Sequence, residues 1–154
     1  MPLIHIIYAS TSGHTEYVVE QVQKYLQKNA PAISLSIQRA ESATSEDLLK
    51  GDVLILGSGT WNTGGPEGQL NMHMDRLLKS VDPAMDLKGK PMTFISLGDE
   101  RYYFRTRCTE HLLRFMREHH GTLLTPPIVL VNEPYGQEEK IEKWAWGLVE
   151  RMGK

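Results

Sequence analysis

Six consecutive residues near the amino terminus have the composition of a phosphate-binding loop: Ser10, Thr11, Ser12, Gly13, His14 and Thr15. They follow a short apolar segment and precede a helical pattern, and a helix N-terminus presents unpaired N–H groups and partial positive charge to an anion. Gly13 would let the backbone approach the anion closely. The run contains no Lys or Arg, so neutral donors would hold the phosphate. A simple helix N-cap is the alternative, but a cap needs one hydroxyl and not four.

Two further segments combine glycine with aromatic residues and predict the other half of the same site. Residues 58–68 form a glycine-rich loop that contains Trp61, and residues 98–104 contain Tyr102 and Tyr103. A tryptophan in such a loop favours an exposed ring that stacks on a planar group, with burial in the core as the alternative. A phosphate socket beside two aromatic walls is the pattern expected of a flavin mononucleotide (FMN) site.

Strand-like and helix-like patterns alternate along the chain. Apolar or alternating residues predict strands at 3–8, 33–38, 52–57, 90–97 and 123–131. Apolar residues at helical spacing predict helices at 15–28, 69–79, 105–119 and 137–152, and a short helix at 45–49 capped by Thr44 or Ser45. Pro126 and Pro127 interrupt the fifth of these strands. Because they cannot donate to a strand ladder, that strand is predicted to lie at an edge of the sheet.

This alternation predicts an α/β fold in one domain spanning residues 1–154, with a parallel sheet covered on both faces. In such sheets ligands bind beyond the carboxyl ends of the strands, at the point where the strand order reverses. The loops that begin near Ser10, Ser58 and Gly98 all leave carboxyl ends. We therefore expect the three loops to meet.

Composition and net charge argue against several classes of function. A formal net charge of −2 gives no basic face for nucleic acid, and the apolar runs fall short of the roughly 20 residues that span a bilayer. No basic segment precedes the first apolar stretch, which argues against a secretory signal. The single cysteine, Cys108, excludes an intrachain disulfide and favours a reducing cytoplasm.

Several side chains are predicted to be structural. Cys108 lies on the apolar face of its predicted helix and is expected in the core, as is Trp144, whereas Trp146 is expected to be half exposed. We expect no metal site, because five histidines have no metal-ligand arrangement and are predicted at the surface or at helix ends: His5, His73, His111, His119 and His120.

Three motifs together make the chain resemble a short-chain flavodoxin over essentially its whole length. The run from Ser10 to Thr15 resembles the family's FMN phosphate loop. The sequence Thr60-Trp61-Asn62 resembles the loop whose Trp covers the inner face of the flavin ring, and Gly98-Asp99 followed by Tyr102 resembles the loop whose Tyr covers the outer face. The resemblance implies a three-layer α/β/α sandwich whose five-stranded parallel sheet has the order 2-1-3-4-5.

The resemblance also implies roles for individual residues. The hydroxyls of Ser10, Thr11, Ser12 and Thr15 and the backbone N–H groups of Gly13 and His14 would bind the phosphate. Trp61 would cover one face of the ring and Tyr102, or alternatively Tyr103, the other. Asp99 would lie near the pyrimidine edge unless it is only a turn residue, and Asn62 would occupy the peptide that bonds the flavin N5. The same loops supply the remaining candidate cofactor contacts: Ser58, Gly59, Thr60, Thr63, Gly64, Leu97, Gly98 and Phe104.

The function implied is that of a low-potential one-electron carrier and not of an enzyme. Its partners would be a flavoprotein electron donor of the flavodoxin/ferredoxin-NADP reductase type and redox acceptor enzymes, met transiently by a monomer. The alternatives are a flavodoxin-like NAD(P)H:quinone reductase and a flavodoxin-like activator of ribonucleotide reductase. The near-neutral charge departs from the strongly acidic family pattern, and basic residues flank the third loop, where they would raise the flavin potential: Arg101, Arg105 and Arg107.

Overall fold

The computed structural model describes residues 2–61, 69–98 and 107–153, which form alternating strands and helices. The strands are β1 (Leu3–Tyr8), β2 (Ser34–Arg39), β3 (Val53–Trp61), β4 (Gln69–Leu70), β5 (Pro91–Gly98), β6 (Thr122–Leu123) and β7 (Ile128–Val131). The α-helices are α1 (His14–Asn29), α2 (Met72–Lys79), α3 (Arg107–Glu118) and α4 (Glu138–Met152), and two 3-10 segments span Ala40–Ser42 and Ser45–Leu49. In this part of the chain, each helix is too short or too polar to cross a membrane.

The parallel sheet has the order β2-β1-β3-β5-β6, and β7 also pairs with β5. Since β6 and β7 together take the place of the predicted fifth strand, the expected order 2-1-3-4-5 is confirmed. The register sets Tyr8 beside Gly57 and Gly59 beside Leu97. The carboxyl ends of β1, β3 and β5 therefore lie next to one another, and the loops that leave them start from one end of the sheet.

The fifth strand was predicted to be interrupted at Pro126 and Pro127, and the structure confirms the interruption by dividing it into β6 and β7. The two prolines that separate β6 from β7 have no N–H to donate. Around the break, the Leu124 N–H donates to the Met92 carbonyl at 2.8 Å, and the buried Thr93 hydroxyl donates to the Thr125 carbonyl at 2.9 Å. A side chain thus supplies a hydrogen bond where the backbone ladder stops, and the strand keeps its predicted place at the edge.

The segments predicted as helices at 69–79 and 45–49 differ from their predictions. Residues 69–70 are not helical, because they form β4, which pairs antiparallel with the end of β3. The helix begins only after Asn71, whose side-chain oxygen accepts from the His73 N–H at 2.9 Å. The segment at 45–49 is a 3-10 helix, and Thr44 rather than Ser45 caps it in a reciprocal capping box with Asp47.

The core lies in two layers, one on each face of the sheet. Leu56 and Phe94 face the layer that contains α2 and α3, whereas Ile55 and Ile95 face the layer that contains α1 and α4. This alternation follows from the two-residue period of a strand and confirms the three-layer sandwich. Cys108 is fully buried in the first layer, as predicted.

His5 was predicted to be exposed, and this is wrong. The residue lies within β1 and is 1% exposed. Its Nε2 lies 3.2 Å from Gln38 Oε1 on the neighbouring strand, and Gln38 Nε2 donates to Asp47 Oδ2 at 3.1 Å. A cross-strand partner therefore makes a buried imidazole tolerable. Desolvation nevertheless lowers the pKa of His5, because burial disfavours the charged ring.

We expect this histidine to make the fold less stable in mild acid. The unfolded chain takes up a proton near the ordinary pKa of 6.5, whereas the folded chain does so only at lower pH. The unfolded state therefore binds more protons in this window, and the free energy of unfolding falls as the pH falls through it. Urea unfolding at a series of pH values between about 8 and 5 should show this slope, and His5→Gln should flatten it. Equal slopes in the two proteins would contradict the assignment.

Candidate functional site

The loop between β1 and α1 is organised by Gly13 and Ser10. Gly13 is the N-cap of α1 and has a φ of 89°, a left-handed conformation that favours glycine. The Ser10 hydroxyl oxygen accepts from the Gly13 N–H at 3.1 Å and from the Glu16 N–H at 3.3 Å. Ser10 thus closes the loop from within and holds it against the first turn of the helix.

The remaining N–H groups of the loop suit an anion. No described residue accepts a hydrogen bond from the backbone N–H of Thr11, Ser12, His14 or Thr15. Thr11 and Ser12 are exposed, and the loop precedes a helix of 16 residues. Unpaired donors at the positive end of a helix dipole form an anion site. The donor set, neutral hydroxyls and N–H groups, fits the phosphate of FMN.

The second loop was predicted to begin at Ser58, but this residue lies within β3, which extends to Trp61. Ser58 is fully buried, and its hydroxyl accepts from the Asn71 N–H at 3.1 Å and donates to the Gly59 carbonyl at 3.0 Å. The Cys108 thiol donates to the Ser58 carbonyl at 3.3 Å. The Ser58 hydroxyl thus links β3 to Asn71, the residue that precedes α2. Asn71 was missed in the sequence, although an Asn immediately before an amphipathic segment is a helix-cap signal.

Much of the predicted aromatic half of the site lies outside the described residues. The structure gives the backbone of Thr60 and Trp61 as the end of β3. In the third loop, Leu97 is buried and the Gly98 carbonyl accepts from the Asn132 N–H at 2.7 Å. The other candidates lie outside the described residues: Asn62, Thr63, Gly64, Asp99, Tyr102, Tyr103 and Phe104, together with Arg101 and Arg105. The choice between Tyr102 and Tyr103 stays a prediction.

A fourth segment, missed in the sequence, packs against the phosphate loop. Tyr135, which follows β7 and is 52% exposed, meets the His14 ring edge-on at 5.6 Å and the Tyr17 ring at 4.7 Å between centroids. The Tyr17 hydroxyl donates to Glu138 Oε2 at 2.6 Å, which raises the pKa of Tyr17 and lowers the pKa of Glu138. The sequence signal was the Pro134-Tyr135-Gly136 turn between a strand and a helix.

Within residues 2–61, 69–98 and 107–153, no three His, Cys, Asp or Glu side chains are grouped so that they could hold a metal ion.

Comparison with known proteins identifies the family. The flavodoxin family model matches residues 6–144, most of the chain. The chain belongs to the flavodoxin family. A probable flavodoxin 2 from Bacillus subtilis (strain 168) is 28% identical over 145 residues, which cover 91% of this chain and 89% of that protein. The flavodoxin of Maridesulfovibrio salexigens is 24% identical over 148 residues, covering 96% and 97%.

Solved structures agree with the fold of this flavodoxin. Oxidised flavodoxin 2 from Bacillus cereus superposes with a TM-score of 0.85 at 26% identity, covering 96% of this chain and 98% of that one. Oxidised flavodoxin 1 from the same organism gives a TM-score of 0.83 at 20% identity, covering 96% and 97%. Flavodoxins are FMN-binding electron-transfer proteins and not enzymes, so the predicted cofactor and the predicted class of protein are confirmed.

Proposed function

We propose that this flavodoxin transfers single electrons at low potential between a flavoprotein reductase and acceptor enzymes. The observation that carries the proposal is the register that sets the ends of β1, β3 and β5 side by side. An anion site at the end of β1 and two predicted aromatic walls at the ends of β3 and β5 then face one cofactor. FMN, when bound, supplies the redox chemistry, and the protein binds it and sets its environment.

The phosphate end of the site is assigned to the β1–α1 loop. The exposed N–H and hydroxyl groups of Thr11 and Ser12, with the N–H groups of His14 and Thr15, donate to the phosphate. The Ser10 hydroxyl accepts two backbone N–H bonds, which shape the loop, and it keeps its own proton to donate to the phosphate. The Ser58 hydroxyl is engaged inside the protein, so we assign Ser58 to supporting the second loop.

The ring end of the site is assigned to the second and third loops. Trp61 ends β3 at the carboxyl edge of the sheet, where its ring would cover one face of the flavin and Tyr102 would cover the other. These walls exclude water and so disfavour extra negative charge on the ring, which lowers the potential. The Asn62 peptide and the Asp99 loop would hold the polar edge of the ring. An Asn at position 62 tolerates the left-handed backbone better than most residues other than glycine.

The partners are proposed from charge and size. A formal net charge of −2 gives weak long-range attraction to basic surfaces, so docking depends mainly on short-range contacts around the exposed edge of the cofactor. A monomer that docks through a small, transient interface fits a carrier that must leave each partner quickly.

Stepwise anaerobic reduction of the FMN-loaded protein, followed by visible absorption, tests the proposal. A distinct spectrum that accumulates at the one-electron stage is expected. Conversion to the fully reduced form without such a stage, together with two-electron turnover of NAD(P)H and a quinone, would instead support a quinone reductase. Failure of the protein to retain FMN would overturn the assignment of all three loops.

The Trp61→Ala variant should bind FMN about tenfold more weakly and show an altered reduction potential. The loss follows from removing a stacked aromatic ring, and tenfold corresponds to about 1.4 kcal/mol. Fluorescence titration of FMN gives the affinity, and a dye-coupled redox titration gives the potential. Trp146→Ala is the matched control, because Trp146 lies on α4 and is 45% exposed. An unchanged affinity and spectrum in Trp61→Ala would mean that Trp61 is not the inner wall.

The Gly13→Ala variant should weaken FMN binding by about 5- to 30-fold. An added Cβ at Gly13 would touch nothing within 4 Å, so the effect is on the backbone. A residue with a Cβ is strained in the left-handed region by about 1–2 kcal/mol, and the free loop escapes this strain until the ligand restores the conformation.

The matched control for Gly13→Ala is Gly89→Ala. Gly89 has a φ of 77°, and an added Cβ there would meet nothing closer than the Thr122 hydroxyl at 3.8 Å, but it lies just before β5, at the amino end of the sheet. FMN titration should show that Gly89→Ala keeps the parental affinity within about twofold. Equal losses in both variants would show that the backbone of Gly13 has no special part in binding.

A further inference from the structure

The first turn of α1 carries a carboxylate beside the loop assigned to the FMN phosphate. The Glu16 N–H donates to the Ser10 hydroxyl at 3.3 Å, so this residue belongs to the same loop-and-helix unit. Phosphate and carboxylate are both negative, and like charges at short range repel. The loop itself has no Lys or Arg to offset this repulsion. A cation from another element can offset the negative charge of Glu16.

Arg39, the last residue of β2, supplies that cation. The register of the sheet places Arg39 beside Tyr8, the residue that ends β1 just before the loop. The Arg39 guanidinium forms an ion pair with Glu16 Oε2, and the Tyr8 hydroxyl donates to the same oxygen at 3.0 Å. The carboxylate is thus held by two donors on the side of the helix that faces β2.

The same guanidinium also touches the loop directly. Arg39 Nη1 lies 3.5 Å from the Ser10 carbonyl oxygen, and the guanidinium carbon lies 5.2 Å from the centroid of the Tyr8 ring. Glu41, at 3.7 Å, is a second and more distant carboxylate partner. Stacking on the ring and the contact with Ser10 fix the guanidinium between the loop and Glu16.

We propose that Arg39 is a positioning residue for the FMN phosphate: it cancels the charge of Glu16 and holds the Ser10 end of the loop. The inference rests on the proposed placement of the phosphate at the start of α1. The phosphate then meets neutral donors and a helix dipole without an unpaired carboxylate beside them. Because the effect is electrostatic, it applies to FMN and not to riboflavin, which has the same ring and no phosphate.

Titrations of FMN and of riboflavin into the same set of variants test this inference. Arg39→Gln should weaken FMN binding by about tenfold at low salt and leave riboflavin binding within about twofold. The loss should shrink at high salt. Adding Glu16→Gln to Arg39→Gln should restore FMN affinity to within about threefold of the parent, because the unpaired carboxylate is gone. Glu41→Gln is the matched control and should leave FMN affinity unchanged.

Two further variants keep the test decisive if Arg39→Gln folds poorly. Arg39→Lys keeps the charge beside Glu16 but loses the planar guanidinium that stacks on Tyr8, so it should retain more FMN affinity than Arg39→Gln. Glu16→Gln alone leaves Arg39 with only the more distant Glu41 as a carboxylate partner, and it should tighten FMN binding a few-fold without affecting riboflavin.

Some results would overturn the inference. These are equal losses of FMN and riboflavin in Arg39→Gln, an unchanged FMN affinity in that variant, and no rescue by Glu16→Gln. Each of them would leave the proposed function intact, because the parent protein would still bind FMN. If the parent itself binds no FMN, the proposed function fails and this inference fails with it.

Discussion

Cys108 is expected to react with a thiol reagent at least about a thousandfold more slowly in the folded protein than in the unfolded chain. Burial raises the pKa of this thiol to about 12 from an ordinary value of 9.0, and only the thiolate attacks. Three pH units correspond to a thousandfold smaller thiolate fraction near pH 8. Complete burial of the side chain excludes the reagent as well.

Labelling with a chromogenic disulfide reagent, in native buffer and in urea, checks this expectation. The rate in urea should level off once the pH exceeds about 9, and the native rate should stay far below the rate in urea at every pH. Cys108→Ser is the control and should give no signal in either buffer. A native rate close to the rate in urea would place the thiol at the surface. Slow labelling would support a structural role for Cys108, whose thiol donates to the Ser58 carbonyl.

Local patterns predicted the elements of the fold well, because each element carries its own periodicity. The first strand was predicted with the bounds that the structure gives it, and α1 differs from its prediction by one residue at each end. The sheet order came from the family resemblance, and the structure confirms it. The bounds of β1 and α1 needed only short-range sequence information, whereas the order of the strands did not follow from it.

The features that the sequence analysis missed depend on hydrogen-bond partners that are distant in the sequence. His5 is buried, and its hydrogen-bond partner on the neighbouring strand is Gln38, 33 positions away in the sequence. The break in the fifth strand was predicted, but the Thr93 hydroxyl that bridges it, 32 positions from the carbonyl that it bonds, was missed. Neither partner is visible in a local window of sequence. Distant hydrogen bonds of this kind are decided by tertiary structure, so propensity and hydrophobic pattern do not reveal them.

The residues of the candidate site also fall into two groups, those predicted from local composition and those that were missed. The loop from Ser10 to Thr15 was predicted from local composition, and the structure describes a left-handed glycine and unpaired N–H groups there. Arg39 and Tyr135 were missed because they reach the loop from β2 and from the segment after β7. The cofactor contacts predicted at residues 62–64, 99 and 102–104 lie outside the described residues and stay predictions.

The Phe94→Ala variant should lose about 3–5 kcal/mol of unfolding free energy. Phe94 is fully buried in β5, lies beside Leu56 of β3 and belongs to the core layer that contains α2 and α3. Truncating a buried Phe removes its apolar area from the core and leaves a cavity that the layer cannot fully close. A loss of this size is a large part of the roughly 5–15 kcal/mol that stabilises a domain.

Urea unfolding with and without FMN measures this loss and shows where it acts. Trp146→Ala, which truncates a half-exposed aromatic, should stay within about 0.5 kcal/mol of the parent. FMN binds only the folded state, so saturating FMN should raise the unfolding free energy of Phe94→Ala and of the parent by equal amounts if the site is intact. A smaller gain in Phe94→Ala would mean that the core beneath β3 and β5 also sets the geometry of the loops at their carboxyl ends. A loss below about 1 kcal/mol would mean that the layer repacks around the cavity.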